Sequence, residues 1–118
     1  MRLGEFKQEV LKLSNQINMH IYGRGYKWQK AHIVDNKVYI IAKCKRSKPL
    51  YAIEKSDKLT AKITNLTLME EYKKLFLKAL NVKLGIAALA YLKDYDLDSH
   101  TSFSIAIFEK NIEELIKS

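Results

Sequence analysis

The stretch Tyr22-Gly23-Arg24-Gly25-Tyr26-Lys27-Trp28, running on through two short apolar-alternating segments to Cys44, decides how this chain folds. Before it, Leu3, Phe6, Val10, Leu13, Ile17 and Ile21 recur at helical spacing, with Lys7, Gln8, Glu9, Lys12 and Gln16 between them. That pattern predicts an amphipathic helix of about five turns. Gly23 stops it, because glycine takes the left-handed conformation that closes a helix, and Gly25 lets the chain turn again two residues later. After the glycines, Trp28–Val34 and Lys37–Cys44 are rich in β-branched and aromatic residues. Asp35-Asn36 between them tolerate the positive φ of a tight turn, so the two segments are read as a β-hairpin. In its second strand Val38, Ile40 and Ala42 share one face, and Tyr39, Ile41 and Lys43 the other.

Beyond the hairpin the chain must cover the sheet it has begun. Lys45–Lys48 is a polar break ending at Pro49, which suits the first turn of a helix and predicts one short helical turn over Leu50–Lys55. Ser56–Asn65 has no clear period and is expected to be a loop. Thr67-Leu68-Met69-Glu70 has the capping-box pattern, and Met69, Tyr72, Phe76, Ala79 and Leu80 continue at helical spacing to a C-terminal cap at Asn81. The apolar run Gly85–Leu92 is expected to be a well-covered strand. Asp94–His100 reads as a polar turn. Phe103, Ile105 and Ile107 alternate with Ser102, Ser104 and Ala106, a half-buried strand, and Asn111–Lys117 adds a last helical turn. The expected fold is α+β: a two-layer, helix–hairpin–helix–hairpin domain with helices on one face of an antiparallel sheet.

A length of 118 residues fits one domain with a single core. The composition, 47% hydrophobic and 29% charged, is that of a globular chain rather than a disordered one. No apolar run approaches the ~20 residues that span a bilayer. Glu5, Lys7 and Glu9 interrupt the N-terminal apolar positions, which is not the pattern of a signal peptide. The lone Cys44 offers no internal disulfide and fits a reduced, cytoplasmic setting. The net charge is +8, and it is placed unevenly: Arg24–Lys62 holds eleven Lys/Arg against three acids, while the rest of the chain is balanced. A basic segment on a neutral body points to an anionic partner, although lysine enrichment alone also describes a solvated surface.

The helix ending in Gly23-Arg24-Gly25, the hairpin, the Pro49–Glu54 segment, the long helix and the strand entering Lys93-Asp94 together resemble the MpsC (DUF2294) family of small bacterial proteins. The resemblance spans Phe6–Glu109. It differs at Tyr26, where the family usually has proline, and at Leu84-Gly85, where it usually has threonine-glycine. The family's name links it to a sodium-translocating, membrane-potential-generating system. The resemblance thus implies a noncatalytic accessory or regulatory role, through protein contacts with a membrane transport system and with peripheral placement at the membrane's inner face.

Chemical motifs are few. Asp94-x-Asp96-x-Asp98 has alternate carboxylates, but the sixth and twelfth places of a calcium loop fall on Ser99 and Ile105 instead of glycine and glutamate. His20, His32 and His100 lack ligand spacing. Cys44 at a strand end reads as a small hydrophobe. Gly23-x-Gly25 precedes a strand, the wrong context for a phosphate cradle. No catalytic, cofactor-binding or metal-binding residue is expected. The candidate site is instead an anionic-partner surface of Arg24, Lys27, Trp28, Lys43, Lys45, Arg46 and Lys48. Arg24, Lys27 and Lys30 interleave with Tyr22, Tyr26 and Trp28, which makes nucleic acid the alternative partner, phosphates on the lysines and bases on the rings. Anionic lipid headgroups or an acidic protein suit the same charges. The surplus of apolar faces predicts a homo-oligomer, a dimer in its simplest form, and a sheet-and-helix pocket for a small molecule is the third possibility.

Overall fold

The structure is a computed structural model that describes residues 1–45, 48–96 and 98–117. Its elements are α1 (Leu3–Tyr22), β1 (Trp28–Val34), β2 (Lys37–Lys43), α2 (Lys48–Ser56), α3 (Lys58–Leu84), β3 (Ala90–Asp96), β4 (Thr101–Ile107) and α4 (Ile112–Leu115). The four strands make one antiparallel sheet in the order β1-β2-β4-β3, so the two hairpins meet through their second strands and β1 and β3 are the edges. This is the expected α+β fold, with helices on one face.

α1 buries the stripe that its sequence announces: Phe6, Val10, Leu13 and Ile17 face inward. Gly23 closes it at φ 74°, its N–H bonding to the carbonyl of Met19. The β1–β2 turn has Asp35 at φ 55°, and it is bolted to the far end of the chain. Asn36 exchanges with Phe108, its carbonyl accepting from the Phe108 N–H and its Nδ2 donating to the Phe108 carbonyl, each at 2.9 Å. The Asp35 carbonyl accepts from the N–H of Ile112 at 2.9 Å, which starts α4 and seats the fully buried Ile112 in the core.

Three elements differ from expectation. α3 begins nine residues earlier than the capping box at Thr67, because Asp57 caps it by accepting the N–H groups of Leu59 and Thr60. Lys58–Asn65 is therefore helix rather than loop, with Asp57 alone separating it from α2. Its period is obscured because this half buries only Ala61 and lies mainly alongside α2, itself longer than one turn. Thr67 donates its hydroxyl back to the Ile63 carbonyl inside the helix, and the end falls at Gly85, φ 67°, rather than Asn81. Gly85–Leu89 is consequently a connection, and the strand starts only at Ala90. With 27 residues, about 40 Å of helix, α3 extends the molecule to 51 × 23 × 21 Å.

The third difference concerns β4. Its alternation is as expected but its faces are exchanged: Ser102, Ser104 and Ala106 point to the helices, and Phe103, Ile105 and Ile107 point away. The helix layer supplies the bulk, through Phe6, Tyr72, Phe76 and Leu80, all of them at most 1% exposed. Small residues on the sheet (Ala31, Ala42, Ser102, Ser104 and Ala106) let those rings approach, which is how a close-packed interior is filled. Phe76 stacks on Tyr91 at 4.6 Å and on Tyr72 at 6.3 Å.

Candidate functional site

Because the helices take one face, the other face of the sheet is open. The registers lay it out as four rows across β1, β2, β4 and β3. They are Trp28, Lys43, Thr101 and Asp96; then Lys30, Ile41, Phe103 and Asp94; then His32, Tyr39, Ile105 and Leu92; and finally Val34, Lys37, Ile107 and Ala90. The centre is apolar, with Tyr39 and Phe103 in ring contact at 5.8 Å. Trp28, Val34, Leu92 and Phe103 are each about half exposed, at 48%, 49%, 58% and 47%. Exposed apolar side chains here adjoin one another across four strands rather than standing singly, the kind of patch on which contact surfaces are commonly found. Its margins differ in sign: lysines stand on the β1–β2 side, and Asp94 and Asp96 on the β3 edge.

The predicted basic residues gather at one end of the sheet but not in one plane. Trp28 stands directly opposite Lys43 in the β1–β2 register, and the Lys27 N–H bonds to the Lys43 carbonyl at 2.8 Å. Both side chains of the Trp28–Lys43 pair lie on the open face. Arg24 and Lys27 are exposed in the loop before β1, Lys48 is exposed at the start of α2, and Lys45 turns toward a cleft on the helix side. Arg46 lies outside the described residues. The charges thus surround the sheet's end, and only Trp28 and Lys43 of the predicted set share the open face.

The cleft on the helix side is built on the Gly-Arg-Gly stretch. Two asparagines of α1 hold that stretch: Asn15 Oδ1 accepts the Tyr26 N–H, and Asn18 Nδ2 donates to the Arg24 carbonyl, both at 2.8 Å. A Cβ on Gly25 would sit 2.9 Å from Asn15 Oδ1, so the close approach requires glycine there. Asn18 Nδ2 also reaches the buried Cys44 Sγ at 3.3 Å. Next to it runs a relay: Lys93 Nζ donates to Tyr26 Oη (3.1 Å), Tyr26 to Tyr72 Oη (2.9 Å), and Tyr72 to the Ser14 carbonyl (3.0 Å). Lys93 also lies 4.1 Å from the centre of the Tyr72 ring, a cation–π contact. Burial foremost, with Tyr26 beside it, pushes the Tyr72 hydroxyl well above the ordinary tyrosine range, so it stays a proton donor and a structural link. The cleft's free space, about 30 Å³, holds a water or two.

The Cys44 thiol lies among Asn18, Gly25 and Lys45, with the contacts of a packed side chain. Among the described residues no three His, Cys, Asp or Glu side chains converge as a metal site, and no helix is long and apolar enough to cross a membrane. Residues that sequence reasoning left out of the site are Tyr39, Leu92, Asp94 and Phe103. The strict alternation of β4 carried the signal, but it could not say which of its two faces would be covered. No family model, curated protein or solved structure matches the chain.

Proposed function

We propose that this protein is a noncatalytic accessory or regulatory protein that works by binding other proteins, in the manner implied by its resemblance to the MpsC family, beside a membrane transport system. The single observation that supports this is the open sheet face: an apolar centre of four strands, rimmed by charge. The partner protein would meet the basic end, where Arg24, Lys27, Lys43, Lys45 and Lys48 are all exposed. A cytoplasmic chain held at the inner face of the membrane satisfies the same charges, because anionic headgroups add to attraction between a basic end and a membrane complex.

The test is a photo-crosslinking residue placed at Lys45 in the living cell, followed by fractionation. A covalent adduct with an integral membrane protein is the expected result. An adduct with nucleic acid, or none in the membrane fraction, would contradict the proposal. Nucleic acid remains the alternative because Trp28 and Phe103 are exposed on an antiparallel sheet beside Lys30 and Lys43, an arrangement on which bases stack. It is less well supported because aliphatic Ile41, Ile105, Leu92 and Ile107 surround the two central rings, and the β3 margin carries two carboxylates that repel phosphate. Fluorescence anisotropy with single-stranded RNA and duplex DNA at about 50 and 200 mM salt separates the two readings, since phosphate contacts weaken steeply over that range.

A further inference from the structure

We infer that the open sheet face is covered by a second copy of this chain, in a face-to-face dimer whose two-fold axis runs roughly along the strands between β2 and β4. The inference deepens the protein-contact reading above and rests on its premise that this face meets protein. Three observations carry it: the apolar centre, the opposite charges on its two margins, and the order in which the strands present them.

Consider the two ways a two-fold axis can lie in the plane of a sheet. An axis across the strands places β1 on the partner's β1 and reverses the rows. Lys43 then meets the partner's Lys37, Lys30 meets the partner's His32, and Asp94 is pressed on the partner's Leu92. An axis along the strands keeps the rows and exchanges the margins, β1 on the partner's β3 and β2 on the partner's β4. Lys30 then meets the partner's Asp94, Ile41 meets the partner's Phe103, and Tyr39 meets the partner's Ile105. Trp28 and Lys43 come to the row that holds the partner's Asp96, and Val34 meets the partner's Ala90. Every contact is made twice, as an isologous interface requires. The remaining positions pair polar with apolar groups, Trp28 with the partner's Asp96, His32 with its Leu92 and Lys37 with its Ile107, all at a margin or in an end row. What favours this arrangement over the other is the match of Lys30 with Asp94 and the meeting of Ile41, Tyr39, Phe103 and Ile105 at the centre. Two sheets so packed cross at about 30°, the usual aligned sandwich.

The size fits as well. Four strands of seven residues cover about 19 by 24 Å at ordinary strand spacing and rise. In plan this is about 450 Å² per partner, which suits a weak, exchanging dimer rather than the larger faces of obligate ones. The dimer is therefore reversible, and its dissociation is the measurable quantity. Within one chain Lys30 and Asp94 are three strands apart, about 14 Å, too far to pair with each other. Any coupling between them must be intermolecular.

The experiment uses the full chain and three samples: Lys30→Glu, Asp94→Lys, and an equal mixture of the two. In each single variant both margin pairs become like-charged, and in the mixed dimer both are opposite again. By sedimentation velocity the parent should move from 13.7 kDa toward twice that mass over about 1 to 100 μM. Each single variant should dimerise about tenfold or more weakly, and mixing should restore the parent's association. Circular dichroism confirms that both variants are folded, and their exposed positions make that the expected outcome. Phe103→Glu, in the apolar centre, should abolish association whatever the margins do. A parent that stays at 13.7 kDa throughout, or folded single variants that mixing fails to restore, would overturn the proposal. Loss of the dimer with the Lys45 membrane adduct intact would overturn this inference alone, whereas nucleic-acid binding on the open face would remove the premise of both.

Discussion

The two faces of one sheet differ in a way that the strands themselves do not announce. On the closed face Ala31, Ala42, Ser102, Ser104 and Ala106 leave room for Phe6, Tyr72 and Phe76 of the helices, which pack there beside Tyr91 of β3. On the open face the sheet itself carries the large groups, Trp28, Tyr39, Ile41, Phe103, Ile105 and Leu92. A face bearing alanine and serine can be fully buried, and a face bearing phenylalanine and isoleucine can be half exposed. Which face is covered is settled by the bulk available from neighbouring elements, and α1 and α3 carry aromatic bulk of their own. The large residues of the open face are then left uncovered by the helices.

This contrast can be broken most severely at Phe76. It is fully buried between Tyr72 and Tyr91, so Phe76→Ala should cost about 3–5 kcal/mol in denaturant unfolding, mostly as cavity. Phe103→Ala, a change of the same chemistry on the open face, should cost the monomer only about 1–2 kcal/mol, because the ring is half exposed and loses mainly its contact with Tyr39. If the two losses were alike, the distinction between the faces would fail.

Next in size is the relay behind the closed face. Tyr72→Phe removes the hydroxyl that joins Tyr26 to α1, and leaves buried Ser14 Oγ without its 2.7 Å partner. A loss of about 1–3 kcal/mol is expected from urea titration. Gly25→Ala pushes a methyl group against Asn15 Oδ1 and disturbs its bond from Tyr26. That should cost about 1–2 kcal/mol, the range for one part-buried hydrogen bond to the backbone.

Two pH effects are smaller. Burial raises Tyr91, as it does Tyr72, above the ordinary tyrosine value of 10.0. Their neutral forms are favoured in the fold, so stability is intact below pH 10 and declines as pH climbs beyond it. Tyr91→Phe should flatten that alkaline decline in pH-dependent melting. Asp57 behaves oppositely: hydrogen bonds from Thr60 lower its carboxyl below 3.8, so its contribution is present above that value and fades as pH falls through the folded value. Asp57→Asn should remove the acid dependence and barely move the melting temperature at neutral pH, because asparagine also caps helices.

Much of this architecture was legible from residues. Gly23 marked the end of α1, Asp35-Asn36 the first turn, and Met69, Tyr72, Phe76 and Leu80 the buried stripe of α3, because each is a local signal. The first half of α3 was not legible, since a helix lying mainly against α2 shows only a weak apolar period, although Asp57 with Thr60 three residues on was a start signal. The relay from Lys93 to Ser14 was invisible for a different reason: its bonds join residues 46 to 67 positions apart. Arg24, Lys27, Lys30, Lys43, Lys45 and Lys48 are exposed, but Asp94 and Phe103 belong to the second hairpin. Only the β2–β4 pairing brings them onto the same face as Lys30 and Trp28.

The open face as an interface between copies can be tested most directly by methyl NMR of the parent chain, compared at dilute and concentrated protein. Signals of Ile41, Leu92, Ile105 and Ile107 should move with concentration, while those of Ile40, Leu80 and Ile86, packed in the core, stay fixed. Shifts confined instead to the exposed Leu59, Ile63 and Leu66 of α3, or no shifts at all, would contradict it.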